Sequence, residues 1–317
     1  MRLLLALSAS AIATAGPACT IEPNYLDPDG PRYVCDYTSA EPEPGSPLRV
    51  VSYNLAFGRN VPAAIAALET GPLADADLVL MQEMDAPGVD QIAKTLGLRY
   101  VYYPASVKHD QDWGNAVLSR WPLVEDHKLL LPYADPFSNS RRIATAARID
   151  IGGREVLVYS THIATPSLGL GARLEQLETI IDDAGVAGVA GHTGDTCDAG
   201  VTADAGVAAY TPDSDDAADA ALAADGDDAA DAGDLPVLIG GDLNTADPGS
   251  AGQVRDLFAG RGFAWASKHA TDTGSAFGSD ATLDYVFARG LEPQGSGTFA
   301  GDSGSDHQPI WVELAPP

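Results

Sequence analysis

Positive charge is scarce in this chain. Lys and Arg together number 18 against 45 Asp and Glu, a formal net charge of −27 over 317 residues. Non-specific binding to nucleic acid rests on cations that neutralise phosphates. A surface this acidic therefore argues against a scanning nuclease, without excluding one. Any site for a phosphorylated substrate would have to bring its own basic groups or a bound divalent cation. Cysteine is scarce too: Cys19, Cys35 and Cys197 leave one over after any pairing. Beyond the N-terminus no apolar run is long enough to span a bilayer. There is no Walker-type phosphate loop and no Gly-x-Ser-x-Gly elbow.

The N-terminus is apolar. Met1-Arg2-Leu3-Leu4-Leu5-Ala6-Leu7 leads into small residues as far as Ala15. One cation, a short apolar stretch and small residues are the marks of a signal peptide, expected over residues 1–18. The predicted setting is export to the cell envelope or beyond. Cys19 follows Ala18 as in a lipoprotein cleavage site, although Gly16 and Pro17 stand where a Leu is usual. If Cys19 carries lipid, it attaches the protein to a membrane and Cys35 and Cys197 remain as a pair. If it does not, Cys19–Cys35 is the natural local disulfide.

Residues 19–47 are rich in Pro, Asp, Glu and Gly and end in Glu41-Pro42-Glu43-Pro44-Gly45-Ser46-Pro47. Repeated Pro keeps backbone extended and solvated, so this reads as a linker. The folded domain is expected over 48–315. Within it, 184–234 is a low-complexity insertion of Ala, Asp and Gly. Fourteen Asp and no Glu, Lys or Arg lie between residues 182 and 234, about half of the net charge. Such a stretch buries too little apolar surface to offset its ordering entropy. It reads as a solvated acidic loop, since the ligand spacing of an EF-hand is absent. His192 and Cys197 lie within it as isolated, weak zinc candidates.

Leu48–Asn54, Asp77–Glu83 and Pro236–Asp242 are apolar runs ending in polar residues, the pattern of strands buried on both faces. Further strands are predicted at 100–103, 116–119, 128–131, 143–149, 155–162, 283–288 and 310–314. Helices are predicted near 65–69, over 170–182 on an apolar face of Leu174, Leu177, Ile180 and Ile181, and at 253–258. Several strands adjoin one another in sequence, which indicates an α/β fold with antiparallel pairs.

Polar residues that suit acid–base or metal chemistry recur just after these strands. They are Asn54, Glu83, His162, Asp242 with Asn244, Asp284, and Asp306 with His307. One such residue is usually a turn former or a cap; six segments in one chain point to convergence at one sheet edge. The residue types suit hydrolysis of a phosphate ester. Mg²⁺ takes one or two carboxylates together with water and phosphate oxygens, and Glu83 and Asp306 can supply them with Asn54 alongside. Asp242 can orient and deprotonate the attacking water. Asn244, His162 and His307 can stabilise the charge that builds on phosphorus. Asp284 can keep His307 protonated.

The segments Val50-Val51-Ser52-Tyr53-Asn54, Met81-Gln82-Glu83, Gly114-Asn115-Ala116-Val117-Leu118-Ser119-Arg120, Ser160-Thr161-His162, Gly241-Asp242-Leu243-Asn244-Thr245, Leu283-Asp284-Tyr285-Val286-Phe287 and Ser305-Asp306-His307 stand in this order. Together they resemble the endonuclease/exonuclease/phosphatase superfamily, which includes deoxyribonucleases, abasic-site endonucleases, neutral sphingomyelinases and inositol-polyphosphate phosphatases. The resemblance implies a four-layer α/β sandwich: two packed mixed sheets flanked by helices, with the site at one edge. It implies Mg²⁺, with Mn²⁺ or Ca²⁺ as substitutes, held by Glu83, Asn54 and Asp306. It implies Asp242 on the water, Asn244 on phosphate, His307 with Asp284 at the scissile phosphate, and His162 at phosphate or leaving oxygen. Arg142, or less well Arg141, resembles a phosphate-contacting Arg, and Tyr103 a phosphate-contacting Tyr. Asn115 reads as architectural, Trp113, Trp121 and Trp265 as packing, and His109 and His127 as surface residues.

The substrate is left open. Thr245-Ala246-Asp247-Pro248 does not resemble the inositol-phosphatase continuation, and low basicity with an export signal disfavours abasic-site repair. An extracellular nuclease and a sphingomyelinase-like enzyme acting on a phospholipid headgroup both stand. The chain is expected to act as a monomer. A different class, an exported acidic cation-binding module without catalysis, would not need the complete polar set.

Overall fold

The structure is a computed structural model and describes residues 23–43, 45–186, 191–193, 197, 235–245, 247–276 and 278–317. The expected signal peptide, Cys19 and most of the 184–234 insertion lie outside the described residues. The chain begins with a short strand, Tyr33–Asp36 (β1), then Leu48–Asn54 (β2), helix Val61–Leu68 (α1), Leu78–Met84 (β3) and helix Ala86–Leu96 (α2). Four long strands follow: Arg99–Lys108 (β4), Gln111–Ser119 (β5), Leu123–Ala134 (β6) and Arg141–Asp150 (β7). Next come Glu155–His162 (β8), helix Leu170–Asp183 (α3), Val237–Asp242 (β9) and helix Pro248–Gly260 (α4). The remaining strands are Ala264–Trp265 (β10), Gly274–Ala276 (β11), Ser279–Ala281 (β12), Asp284–Arg289 (β13), Pro293–Thr298 (β14) and Ile310–Leu314 (β15).

One sheet runs β1–β4–β5–β3–β2–β15–β14 and the other β10–β13–β9–β8–β7–β6. The pairs β2–β3 and β8–β9 are parallel, and both sheets also hold antiparallel pairs, so both are mixed. Their strands alternate between two apolar faces. Val50, Leu78, Leu80 and Leu238 point into the core between the sheets. Val51, Val79 and Met81 face the layer that holds Ala64 and Leu68 of α1 and Val89 and Ile92 of α2. Val237 and Ile239 face Leu177, Ile180 and Ile181 of α3 and Val254 and Phe258 of α4. Burial on both faces is why these strands read as continuous apolar runs. The layers are helix, sheet, sheet, helix: a four-layer α/β sandwich.

Helix α2 was not anticipated from sequence, although its signals are local. Asp85 caps it by accepting a hydrogen bond from Gly88 N at 2.9 Å. Pro87 stands in its first turn, and Gly97 ends it at φ 65°, a left-handed cap that favours glycine.

The linker reading of residues 19–47 needs correction over residues 23–36. Tyr33–Asp36 pairs with Arg99–Tyr102 as the edge strand of the first sheet. The stretch before it is also tied down: Tyr25 N donates to Ala105 O and Val107 N to Pro23 O. Arg32 makes a bidentate ion pair with Asp126, at 2.7 and 2.6 Å, on a carboxylate whose side chain is 2% exposed. Extended, Pro-rich backbone suits an edge strand as well as a linker, and the partner that decides between them lies 94 residues away. Cys35 in this strand is disulfide-bonded to Cys197. Cys197 is therefore no zinc ligand, and His192 is held instead by a backbone bridge to Asp126.

Removing one member of a buried ion pair leaves the other charge uncompensated, at a cost of about 3–5 kcal/mol. Asp126→Ala is expected to lower the unfolding free energy by roughly that amount, as read by urea denaturation. A loss below about 1 kcal/mol would mean that the N-terminal arm is not anchored through this pair.

Candidate active site

The parallel pair β8–β9 puts His162 directly beside Asp242, and the antiparallel pair β9–β13 puts Asp284 on the other side of Asp242. Three consecutive strand ends of one sheet thus carry three polar residues in a row. Asn54, at the end of β2, reaches them from the other sheet: its Nδ2 donates to Asp242 Oδ2 at 3.1 Å. Gly241 makes the close strand approach possible. A Cβ there would lie 1.8 Å from Thr161 O, and its φ of 148° is one that side chains disfavour.

Asp242 is 2% exposed and bonded on all sides. Its Oδ1 accepts from the Asn244 backbone N at 2.8 Å. Its Oδ2 lies 3.3 Å from His162 Nε2 and 3.7 Å from His307 Nε2. Burial raises its pKa to about 7; His307 opposes that rise, while Asp284 and Glu83 add to it. His307 Nδ1 meets Asp284 Oδ2 at 2.9 Å. Burial disfavours charge on His307, but Asp284 and then Asp242 outweigh it and raise the pKa to about 10. His162 goes the other way. Burial first, then the nearby Arg142, Lys108 and His307, hold it well below the usual range, so it is neutral.

Two residues at the mouth have left-handed backbone that non-glycine residues rarely adopt: Glu83 at φ 58° and Asn244 at φ 48°. Glu83 lies in a register shift of the β3–β5 pair, between Met81 and Met84. A bulge re-aims a side chain, and here Glu83 Oε1 comes 3.7 Å from His162 Nδ1. Asn244 Nδ2 donates to Ile163 O at 3.0 Å, which ties it to the end of β8. The segment before β15 is set by Ser305, whose Oγ donates to Asn54 O at 2.7 Å and accepts from His307 N at 3.1 Å. Asp306, between them, is exposed.

The donor chemistry can be tested against a divalent cation. Among the described residues no group of three or more His, Cys, Asp or Glu stands in a metal-holding arrangement. Of the site's carboxylates, Glu83 has 14% of its side chain exposed, while Asp242 and Asp284 are buried against His162 and His307. The buried His162 Nδ1 beside Glu83 has no hydrogen-bond partner among the described residues. A partly exposed carboxylate suits a divalent cation that takes the rest of its coordination sphere from water and substrate phosphate. It does not fit a closed structural metal site.

Not every residue singled out in the sequence reaches this mouth. Tyr103 does not contact phosphate from its place in the fold. It is fully buried, and its hydroxyl donates to Asp126 Oδ1 at 2.7 Å, in the network that anchors the N-terminal arm. Arg142 is buried at the site wall, 4.5 Å above the Trp113 ring. Asn115 Nδ2 donates to Ile143 O at 2.9 Å and joins the two sheets. His127, read as a surface residue, pairs with Asp183 at 3.0 Å. Two residues named in the sequence prove to be neighbours of the site. Trp113 packs its ring 5.2 Å from His162, and Gln82 Nε2 donates to Ser160 Oγ at 3.0 Å across the sheet interface. Gln82 stands inside a quoted motif, yet only sheet packing reveals what it bonds.

The family model described as Endonuclease/Exonuclease/phosphatase family matches residues 51–307. Among solved structures, an endonuclease/exonuclease/phosphatase from Beutenbergia cavernae is similar at 19% identity and a TM-score of 0.58, covering 86% of this chain and 72% of that one. D. rerio TDP2 complexed with single strand DNA product is similar at 16% identity and 0.56, covering 85% and 99%. The human Nocturnin catalytic domain with bound sulfate anion is similar at 16% identity and 0.55, covering 90% and 98%. At these identities the structural likeness shows the fold alone. No curated protein sequence matches the chain.

The folded protein holds the His307 proton more tightly than the unfolded chain does. The pair with Asp284 therefore contributes stability that is full below the ordinary pKa of 6.5 and is lost as pH rises through about 10. In metal-free protein, a histidine NMR titration is expected to show His307 still protonated at about pH 8. Asp284→Asn should move its midpoint down towards 6.5. A midpoint already near 6.5 in the unaltered protein would remove the ion pair from the account.

Proposed function

The chain belongs to the endonuclease/exonuclease/phosphatase family, and from that premise we propose that it is an exported, Mg²⁺-dependent phosphodiester hydrolase that uses an activated water. The fold and family support phosphodiester hydrolysis in general; the ion and the export rest on the sequence reading. One observation carries the chemical reading: a buried carboxylate, Asp242, lies within 3.7 Å of two histidines held in opposite charge states.

The roles follow from those charge states. Asp242 takes a proton from the attacking water. Burial raises its pKa above the ordinary carboxylate range, which makes it a better base than an exposed Asp. Asn54 and the Asn244 backbone hold its two oxygens so that it cannot rotate away. His307, kept cationic by Asp284, donates to the phosphate oxygens as negative charge grows on them. His162 is neutral beside the same carboxylate and would hydrogen-bond the leaving oxygen. A divalent cation held by Glu83, with Asn54 and Asp306 alongside, would neutralise the phosphate oxygens and hold the substrate in line. A module that only bound cations would not need His307, Asp284 and Asp242 aligned.

The test is hydrolysis of bis(4-nitrophenyl) phosphate, plasmid DNA, RNA and sphingomyelin, with Mg²⁺ and with chelator. At least one diester is expected to be cleaved, and chelator should abolish cleavage. Asp242→Asn and His307→Ala should each lower kcat by about 10²–10⁴-fold with the fold retained. Full activity in either variant would refute the assigned roles. A folded protein inert to all four substrates would favour the cation-binding module.

A further inference from the structure

The N-terminal arm does more than supply the edge strand β1. Ahead of β1, residues Pro23, Asn24 and Tyr25 run along the outer edge of β4. Val107 N donates to Pro23 O and Tyr25 N to Ala105 O, each at 2.9 Å, and Asn24 is bridged to Ser106 between them. Covering an open edge needs only this backbone pairing. The side chains reach further. Asn24 Oδ1 accepts from Arg141 N at 2.7 Å, and its Nδ2 donates to Asn139 O at 2.8 Å. The Tyr25 hydroxyl donates to Asp112 Oδ1, on β5, at 2.6 Å.

Three of these contacts fall one residue before a group at the wall of the site. Val107 precedes Lys108, Asp112 precedes Trp113, and Arg141 precedes Arg142. Trp113 packs 5.2 Å from the His162 ring. Lys108 Nζ lies 4.0 Å and Arg142 Cζ 4.5 Å from the centre of the same indole. We propose that Asn24 and Tyr25 are positioning residues of the active site. From outside, they set the wall of Lys108, Trp113 and Arg142 that meets the negative charge of a substrate diester. The proposal rests on the phosphodiesterase reading above.

The wall needs that support. Lys108 stands on β4 and Arg142 on β7, so its two cations come from different sheets. Like charges held against one ring repel each other. Asn24 spans the two sheets: its backbone is bridged to β4, and its side chain holds the segment that leads into β7. Asn suits this place because one amide supplies both the acceptor and the donor. The arm is fastened elsewhere as well. Arg32 pairs with Asp126, Lys128 Nζ donates to the carbonyls of Tyr25 and Gly30, and Cys35 is bonded to Cys197. An arm anchored at these points can hold a fixed position against the wall. Its residues lie outside the stretch 51–307 that the family model matches.

The experiment uses the full chain labelled with 5-fluorotryptophan, the Trp113 resonance being assigned through Trp113→Phe. Asn24→Ala, Tyr25→Phe and Tyr37→Phe are compared with the unaltered protein. Tyr37→Phe is the matched control, since the Tyr37 hydroxyl also donates to an Asp at 2.6 Å, but to Asp90 on α2. Fluorine NMR is expected to show the Trp113 resonance moved in Asn24→Ala and Tyr25→Phe and unmoved in Tyr37→Phe. Trp265 and Trp311 should stay in place in all three. KM for bis(4-nitrophenyl) phosphate should rise about 2- to 12-fold in the two arm variants, the worth of one hydrogen bond, with kcat kept. Asn24 bonds at the surface, so its variant remains informative if Tyr25→Phe fails to fold. A Trp113 resonance unmoved in the arm variants, or moved as far in Tyr37→Phe, would overturn the proposal. So would a loss confined to kcat. If the unaltered protein cleaves nothing, the phosphodiesterase reading falls, and the fluorine spectra alone then uphold or overturn the brace.

Discussion

One carboxylate, buried where two sheets meet, is the constraint around which this site is built. An ionised group out of water is costly unless it is paired and hydrogen-bonded. Asp242 therefore draws on both sheets at once. Asn54 and His307 come from one, on β2 and on the loop before β15, and the Asn244 backbone and His162 come from the other. Gly241 lets the neighbouring strand come close enough. The left-handed backbone at Glu83 and Asn244 belongs to the same compromise, since strain of this kind persists where the surroundings over-determine it.

That burial has opposite consequences for stability and for chemistry. A carboxylate whose pKa rises to about 7 on folding favours the folded state at low pH and loses that advantage as pH climbs through neutrality. The same shift makes it a usable base at the pH where it is least comfortable. His307 complements it, as a cation whose proton is secured by Asp284. A chain with a net charge of −27 thus keeps positive charge at its candidate site by pairing and stacking, not by abundance. His307 sits on a carboxylate, and Arg142 and Lys108 sit on an indole.

Much of the fold was legible because its central strands are buried on both faces. Val50 and Val51, Leu78 and Val79, Val237 and Leu238 each send neighbours to different layers, and the resulting apolar runs stand out. The polar residues that close these runs were legible for the same reason. Helix α2 was passed over although Asp85, Pro87 and Gly97 bracket it and Val89, Ile92 and Ala93 give it one buried face. Strand β1 was hidden by its surroundings: Tyr33-Val34-Cys35-Asp36 holds no Pro, but four residues between Pro31 and the run from Pro42 to Pro47 are too few to stand out. Tyr103 looked like a phosphate contact because local pattern cannot say which face of a strand meets the site. In the fold it faces Asp126 and serves the N-terminal arm.

The sequence by itself determined the kind of domain and the residue types at its strand ends, because alternating burial and the order of short polar motifs are written along the chain. It also determined that positive charge must be local. Tertiary structure decided which of those residues touch. Asn54 and Asp242 are 188 positions apart and meet only because two sheets pack at their strand ends. The charge on each histidine was decided there too. Burial and neighbouring charge set it, and both belong to the folded state: His162 is neutral beside Arg142 and Lys108, and His307 is cationic beside Asp284.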